Sequence, residues 1–143
     1  MRKIIYTRPD GGISVVGPVR NTVGETLTTD EDIEQRAWNK LPADAINPQW
    51  VEDSSIPTDR TFRDAWSQSG TDIVVDMVRA RDIQEKRIKT AQRIKVRDIL
   101  EREALGENVA SEKAAVRAVN PRVVVDSVST TDELRAAFPA ILR

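Results

Sequence analysis

Thirty consecutive residues, Asp76 to Leu105, contain neither Pro nor Gly, and this run constrains the chain more than any other part of it. On a wheel of 100° per residue, Met77, Ala80, Ile83, Ile88, Ala91, Ile94, Ile99 and Leu105 fall within an arc of about 160°, the width of a core-facing helical stripe. The pattern predicts one long amphipathic helix. At 1.5 Å per residue it would run about 45 Å, more than the width of a compact domain of this size, so part of it is expected to find a partner outside a simple core. Gln84, Arg87, Lys95, Asp98 and Arg102 interrupt the stripe, which suits a symmetric or heterologous helical contact better than a sealed core.

The remaining 113 residues of the 143 leave room for one domain with a helical arm. A charged fraction of 31% with 4% aromatics points to a helical, surface-rich and ordered protein. The net charge of −1 supplies no global field for a polyanion or a membrane surface, so any charge argument is local. Without Cys or His there is no disulfide, no thiolate and no imidazole for metal binding or general base catalysis. No run approaches the roughly 18 apolar residues of a membrane span, and the start Met-Arg-Lys-Ile-Ile-Tyr lacks the apolar core of a signal peptide. Synthesis and use on the cytoplasmic side are expected.

Lys3 to Tyr6 and Ile13 to Val16 are β-branched runs around Pro9-Asp10-Gly11-Gly12, a β-hairpin in which both glycines are expected to supply positive φ. Gly17, Pro18 and Gly24 mark a loop as far as Thr28. Thr28-x-x-Glu31 reads as a capping box for a helix with Ile33, Ala37 and Leu41 inside, stopped by Pro42. Pro48 to Glu52 reads as a third strand. Thr58 to Trp66 reads as a turn or short helix that puts Phe62 and Trp66 on one side, and Ile73-Val74-Val75 as a fourth strand, with Asp76 capping the long helix. Gly106 is placed as a helix C′ residue and Asn108 as the cap of a second, antiparallel helix whose Ala115, Val116 and Val119 cover the last third of the first. Asn120-Pro121 breaks that helix, Val123 to Val125 reads equally as a strand or one helical turn, and Thr130-x-x-Glu133 caps a terminal helix with Leu134, Ala137 and Phe138.

The fold class that follows is α+β: a small N-terminal antiparallel sheet of about four short strands with one helix, then a long helix, a helical hairpin and a short C-terminal helix. The division is 1–75, a β-rich N-terminal domain, and 76–143, a C-terminal helical hairpin and tail. Met77 to Ile94 is expected to lie against the N-terminal sheet, with its basic residues outside.

Those residues form the strongest local charge. Between positions 79 and 97 stand Arg79, Arg81, Lys86, Arg87, Lys89, Arg93, Lys95 and Arg97 against Asp82 and Glu85. Such a stripe could follow a phosphate backbone, but it holds no aromatic residue for base stacking and no cluster for groove readout, so nucleic acid is disfavoured. Arg79, Lys86, Lys89, Arg93 and Arg97 are the candidate partner-binding residues, with Trp66 as an aromatic anchor because Trp is enriched in interfaces. Asp30, Glu31, Asp32 and Glu34 could be proposed as a cation site, yet acidic residues belong in a first helical turn. The serines lack a nucleophile elbow and a His base. No catalytic residue, cofactor or metal site is expected.

Three stretches occur in order: Ile4-Ile5-Tyr6-Thr7-Arg8-Pro9-Asp10-Gly11-Gly12, then Ile56-Pro57-Thr58-Asp59-Arg60-Thr61-Phe62-Arg63-Asp64-Ala65-Trp66, then Val75-Asp76-Met77-x-x-Ala80-Arg81-Asp82-Ile83. With the ending Thr131-Asp132-Glu133-Leu134-Arg135-Ala136-Ala137-Phe138-Pro139, they resemble a group of small virion-associated proteins of tailed phages and prophages of proteobacteria, from the tail or fibre region. Val78 stands where that group commonly has Pro, Phe138 where it has Trp, and Gln84-Glu85 where it often has a His. The resemblance brings no catalytic residues. It implies a structural or accessory virion protein in the tail, fibre-attachment or head-to-tail region, binding other virion proteins or its own copies. The alternative is a phage factor outside the virion, such as a tail assembly chaperone or an inhibitor of a host defence protein.

Overall fold

The computed structural model describes residues 1–22, 25–26 and 29–143, and no side chain within 21–28. The chain is α+β and divides into two compact units, Met1–Asp76 and Met77–Arg143.

The first unit begins with β1 (Lys3–Thr7) and β2 (Ile13–Val16), joined by the expected hairpin in the register Ile4 to Val16 and Thr7 to Ile13. Only Gly11 of its two turn glycines has positive φ, at 81°. Gly12 instead leaves room for the Arg8 guanidinium, which would have to shift to admit a Cβ there. The stretch read as a plain loop contains two short paired strands, β3 (Asn21–Thr22) and β4 (Glu25–Thr26). The Thr28 of the expected capping box lies outside the described residues. The cap that is described is Thr29, whose hydroxyl accepts from Asp32 N at 3.1 Å at the start of α1 (Asp30–Asn39).

β5 (Ile46–Val51) pairs with β1 to give the order β2-β1-β5. As an edge strand it tolerates Pro48, whose missing N–H costs nothing on the outer side. The register slips beside Asn47, which takes φ 48°, a region Asn enters more readily than most residues. After a 3₁₀ turn at Arg63–Ala65, Trp66 opens a strand rather than sharing a helical face with Phe62. β6 (Trp66–Ser69) pairs with β7 (Asp72–Val75) through Gly70 at φ 62°. The expected fourth strand is therefore half of a separate hairpin, and the sheet has three strands.

Alternation along the strands assigns the two faces of the sheet. One carries Ile5, Ile13 and Val51, which form a buried cluster with Trp66, flanked by Val15, Ile56, Ile73 and Val75. Thr7 Oγ1 donates to Gln68 Oε1 at 3.0 Å on this side. The other face carries Ile4 and Trp50 and receives α1. Trp38 stacks on Trp50 with ring centres 5.4 Å apart, and Ile33 is fully buried. Arg2 joins the two layers: its Nη2 lies 2.7 Å from Glu34 Oε2, and its guanidinium sits 4.8 Å from the Trp50 ring centre.

The second unit is built on α2 (Met77–Ala104), which ends as the glycine predicts. Gly106 has φ 89°, Glu107 N donates to Arg102 O and Gly106 N to Glu103 O, a Schellman closure. Then come α3 (Ala110–Ala118), α4 (Pro121–Asp126) and α5 (Thr131–Ala136). Val109, not Asn108, is the α3 N-cap residue, and no side chain caps there. Pro121 opens a helix instead of merely ending one: Asn120 accepts from Arg122 N and Val123 N, and Pro sits at the first helical position, where its missing N–H is harmless. Thr130 accepts from Glu133 N, and the Glu133 carboxylate reaches back to Ser129 N. Helices of six to nine residues are marginal alone, so these three owe their stability to packing on α2.

Candidate docking surface

α3, α4, α5 and the final turn Ala140–Leu142 all pack on α2. Within the second unit, α4 and α5 cover the Met77 to Ile94 part of α2. Ala80, Gln84, Ile88 and Ile99 are buried, and Arg81, Glu85, Gln92, Lys95, Val96 and Arg102 are half-buried beside them. Met77, Ile83 and Ala91 are half-buried too, so six of the eight residues of the apolar stripe read in the sequence are covered, and the covered arc extends about 60° past the stripe to Val96. Ile94 and Leu105, two members of that stripe, are 57% and 83% exposed.

The widening has a physical cause. The last carbonyls of a helix have no partner of their own, and donors are favoured there by the helix dipole. Gln92 Nε2 donates to Val116 O and Val119 O at the end of α3, at 2.8 and 3.0 Å. Arg81 Nη2 donates to Val128 O, just past α4, at 2.9 Å. Gln84 Nε2 donates to Ala137 O, the α5 C-cap, at 3.3 Å. Three polar residues on one face of α2 thus finish three short helices.

Ion pairs complete the frame. Arg102 Nη2 holds Glu112 Oε2 at 2.5 Å, and Lys95 lies 3.7 Å from the same carboxylate. Arg122 lies 3.1 Å from Asp82 and 3.3 Å from Glu85, which also takes Lys89 at 2.5 Å. The hydrogen bond from Arg102 holds the Glu112 carboxyl below the usual glutamate range, against the opposing effect of desolvation. Lys89 first, and Arg122 after it, do the same for Glu85.

The candidate residues from the sequence therefore separate. Lys89 is exposed but paired with Glu85, and Arg79 is half-buried. Lys86, Arg93 and Arg97 are exposed. Trp66 is 2% exposed inside the core of the first unit, so it anchors β6 and offers nothing to a partner. The acidic cluster is used locally: Asp30 pairs with Arg20 at 2.5 Å and Glu34 with Arg2. Among the described residues no group of acidic side chains could hold a metal ion, and no helix is long and apolar enough to cross a membrane.

Arg93 and Arg97, one turn apart on α2, border an open groove of about 390 Å³ with Gln92, Val96, Leu100 and Arg117. Val96 is half-buried and Leu100 43% exposed. Arg93, Arg97 and Arg117 have no carboxylate partner among the described residues. The sequence reading passed over Val96, Leu100 and Arg117. A signal for Arg117 existed: it stands as many residues after Gly106 as Lys95 stands before it, so a helical hairpin folded at that glycine sets the two side by side.

No protein-family model, curated protein or solved structure matches this chain.

Proposed function

We propose that this chain is a non-enzymatic structural or accessory protein of a tailed-phage particle, in the tail, fibre-attachment or head-to-tail region, and that it acts by binding another protein through α2. The phage assignment rests on the ordered motifs from Ile4 to Pro139. The binding role rests on one observation: Gln92 and Arg102 on the inner face of α2 bond within their own unit, while Arg93 and Arg97 on the outer face have no carboxylate partner among the described residues and stand beside the exposed Leu100. An exposed apolar side chain ringed by unpaired guanidinium groups suits an interface, where Arg and apolar anchors are enriched.

Mass spectrometry of purified particles tests this reading. The chain is expected at a constant copy number per particle; its absence from intact particles overturns the assignment.

A further inference from the structure

We propose that the groove lined by Gln92, Arg93, Val96, Arg97, Leu100 and Arg117 seats an acidic amphipathic helix of a different protein. This rests on the protein-binding reading above and names the partner's chemistry.

The floor and the rim make different demands. Val96 and Leu100 gain only if an apolar side chain covers them. Arg93, Arg97 and Arg117 supply three guanidinium groups, on two helices, with no carboxylate partner among the described residues. A guanidinium fork matches a carboxylate bidentately. Elsewhere in this unit guanidinium groups already hold carboxylates through single contacts, Arg102 on Glu112 and Arg122 on Asp126 at 3.0 Å. A helix bearing one apolar residue between carboxylates three or four positions away meets both demands at once, because those positions share a face.

The alternatives fit less well. A phosphodiester backbone would satisfy the guanidinium groups but leave Leu100 uncovered, and no lining residue is aromatic for a base to stack on. A second copy meeting this groove across a two-fold axis would bring the same three cations against one another, a like-charge contact.

The test uses the full chain and a fluorescent acidic peptide with a Leu row flanked by Glu, read by anisotropy. Saturable binding is expected. The triple variant R93E/R97E/R117E should weaken it at least about tenfold, and Leu100→Ser should weaken it as well. A peptide with Lys in place of each Glu should bind the triple variant better than it binds the wild type, a gain that misfolding cannot produce. No binding, equal binding of a peptide whose Leu row is replaced by Ser, or stronger binding of an oligonucleotide of equal charge would each overturn the proposal. The two readings fail separately. A chain present in particles with an inert groove leaves the particle role and removes the acidic helix; a groove that binds in a chain absent from particles does the reverse.

Discussion

The Gln92 amide on α2 donates to the Val116 carbonyl of α3 at 2.8 Å and to the Val119 carbonyl at 3.0 Å. Val116 O also accepts from Val119 N at 3.3 Å within α3, whereas Gln92 is the donor that reaches Val119 O. Replacing it with Ala removes both bonds and takes that donor from Val119 O in a half-buried site, so Gln92→Ala should cost about 1–3 kcal/mol in urea unfolding. Lys86→Ala, on the exposed side of the same helix, should stay within about 0.5 kcal/mol of wild type.

Acid should loosen the second unit in a defined direction. Glu112, bonded by Arg102, and Glu85, bonded by Lys89 and Arg122, titrate below the ordinary glutamate value of 4.5. Below that value the unfolded chain binds protons that the folded one still refuses, so stability falls as pH falls. The contribution is fully present above the unfolded value and is lost as pH drops through the lowered folded values. Thermal melts followed from neutral pH into this acid range should show a decreasing midpoint, and Glu112→Gln should flatten the decrease.

Trp66 is a core residue, so its loss should be felt in folding. Removing its side chain from among Ile5, Ile13 and Val51 leaves a cavity, and Trp66→Ala should destabilise the first unit by about 3–5 kcal/mol. If the variant keeps wild-type stability, the core assignment is wrong and Trp66 returns as a surface anchor.

Gly106 should tolerate substitution poorly although its neighbourhood is open. A Cβ there meets nothing within 4 Å, but φ is 89°. Gly106→Ala should therefore cost about 1 kcal/mol or more through the backbone alone. Circular dichroism melts of the variant measure this directly.

What the sequence made legible was local chemistry. The β1–β2 turn, the Thr130 cap and the Gly106 helix stop each depend on residues a few positions apart, and each is found where the pattern placed it. β6 escaped because Trp66-Ser67-Gln68-Ser69 carries one apolar residue and no alternation; its strand character comes from pairing with β7. Asn120-Pro121 signalled a break equally well as a start, and only the accepted N–H groups of Arg122 and Val123 separate the two. The covered face of α2 is wider than its apolar stripe for a deeper reason. A stripe drawn through apolar residues cannot register that Arg81, Gln84 and Gln92 are turned inward by carbonyls 24 to 53 residues away. The groove lies at the edge of that widened face, where Val96 and Leu100 meet Arg117, while Ile94 stays exposed.

The most direct measurement compares particles assembled with the wild-type chain and with R93E/R97E/R117E, by quantitative mass spectrometry after purification. The wild type should appear at a fixed copy number and the variant at about a tenth of it or less, with the circular dichroism melts of the two chains alike. Wild-type chain missing from the particles, or a variant retained at the wild-type level, would contradict the account.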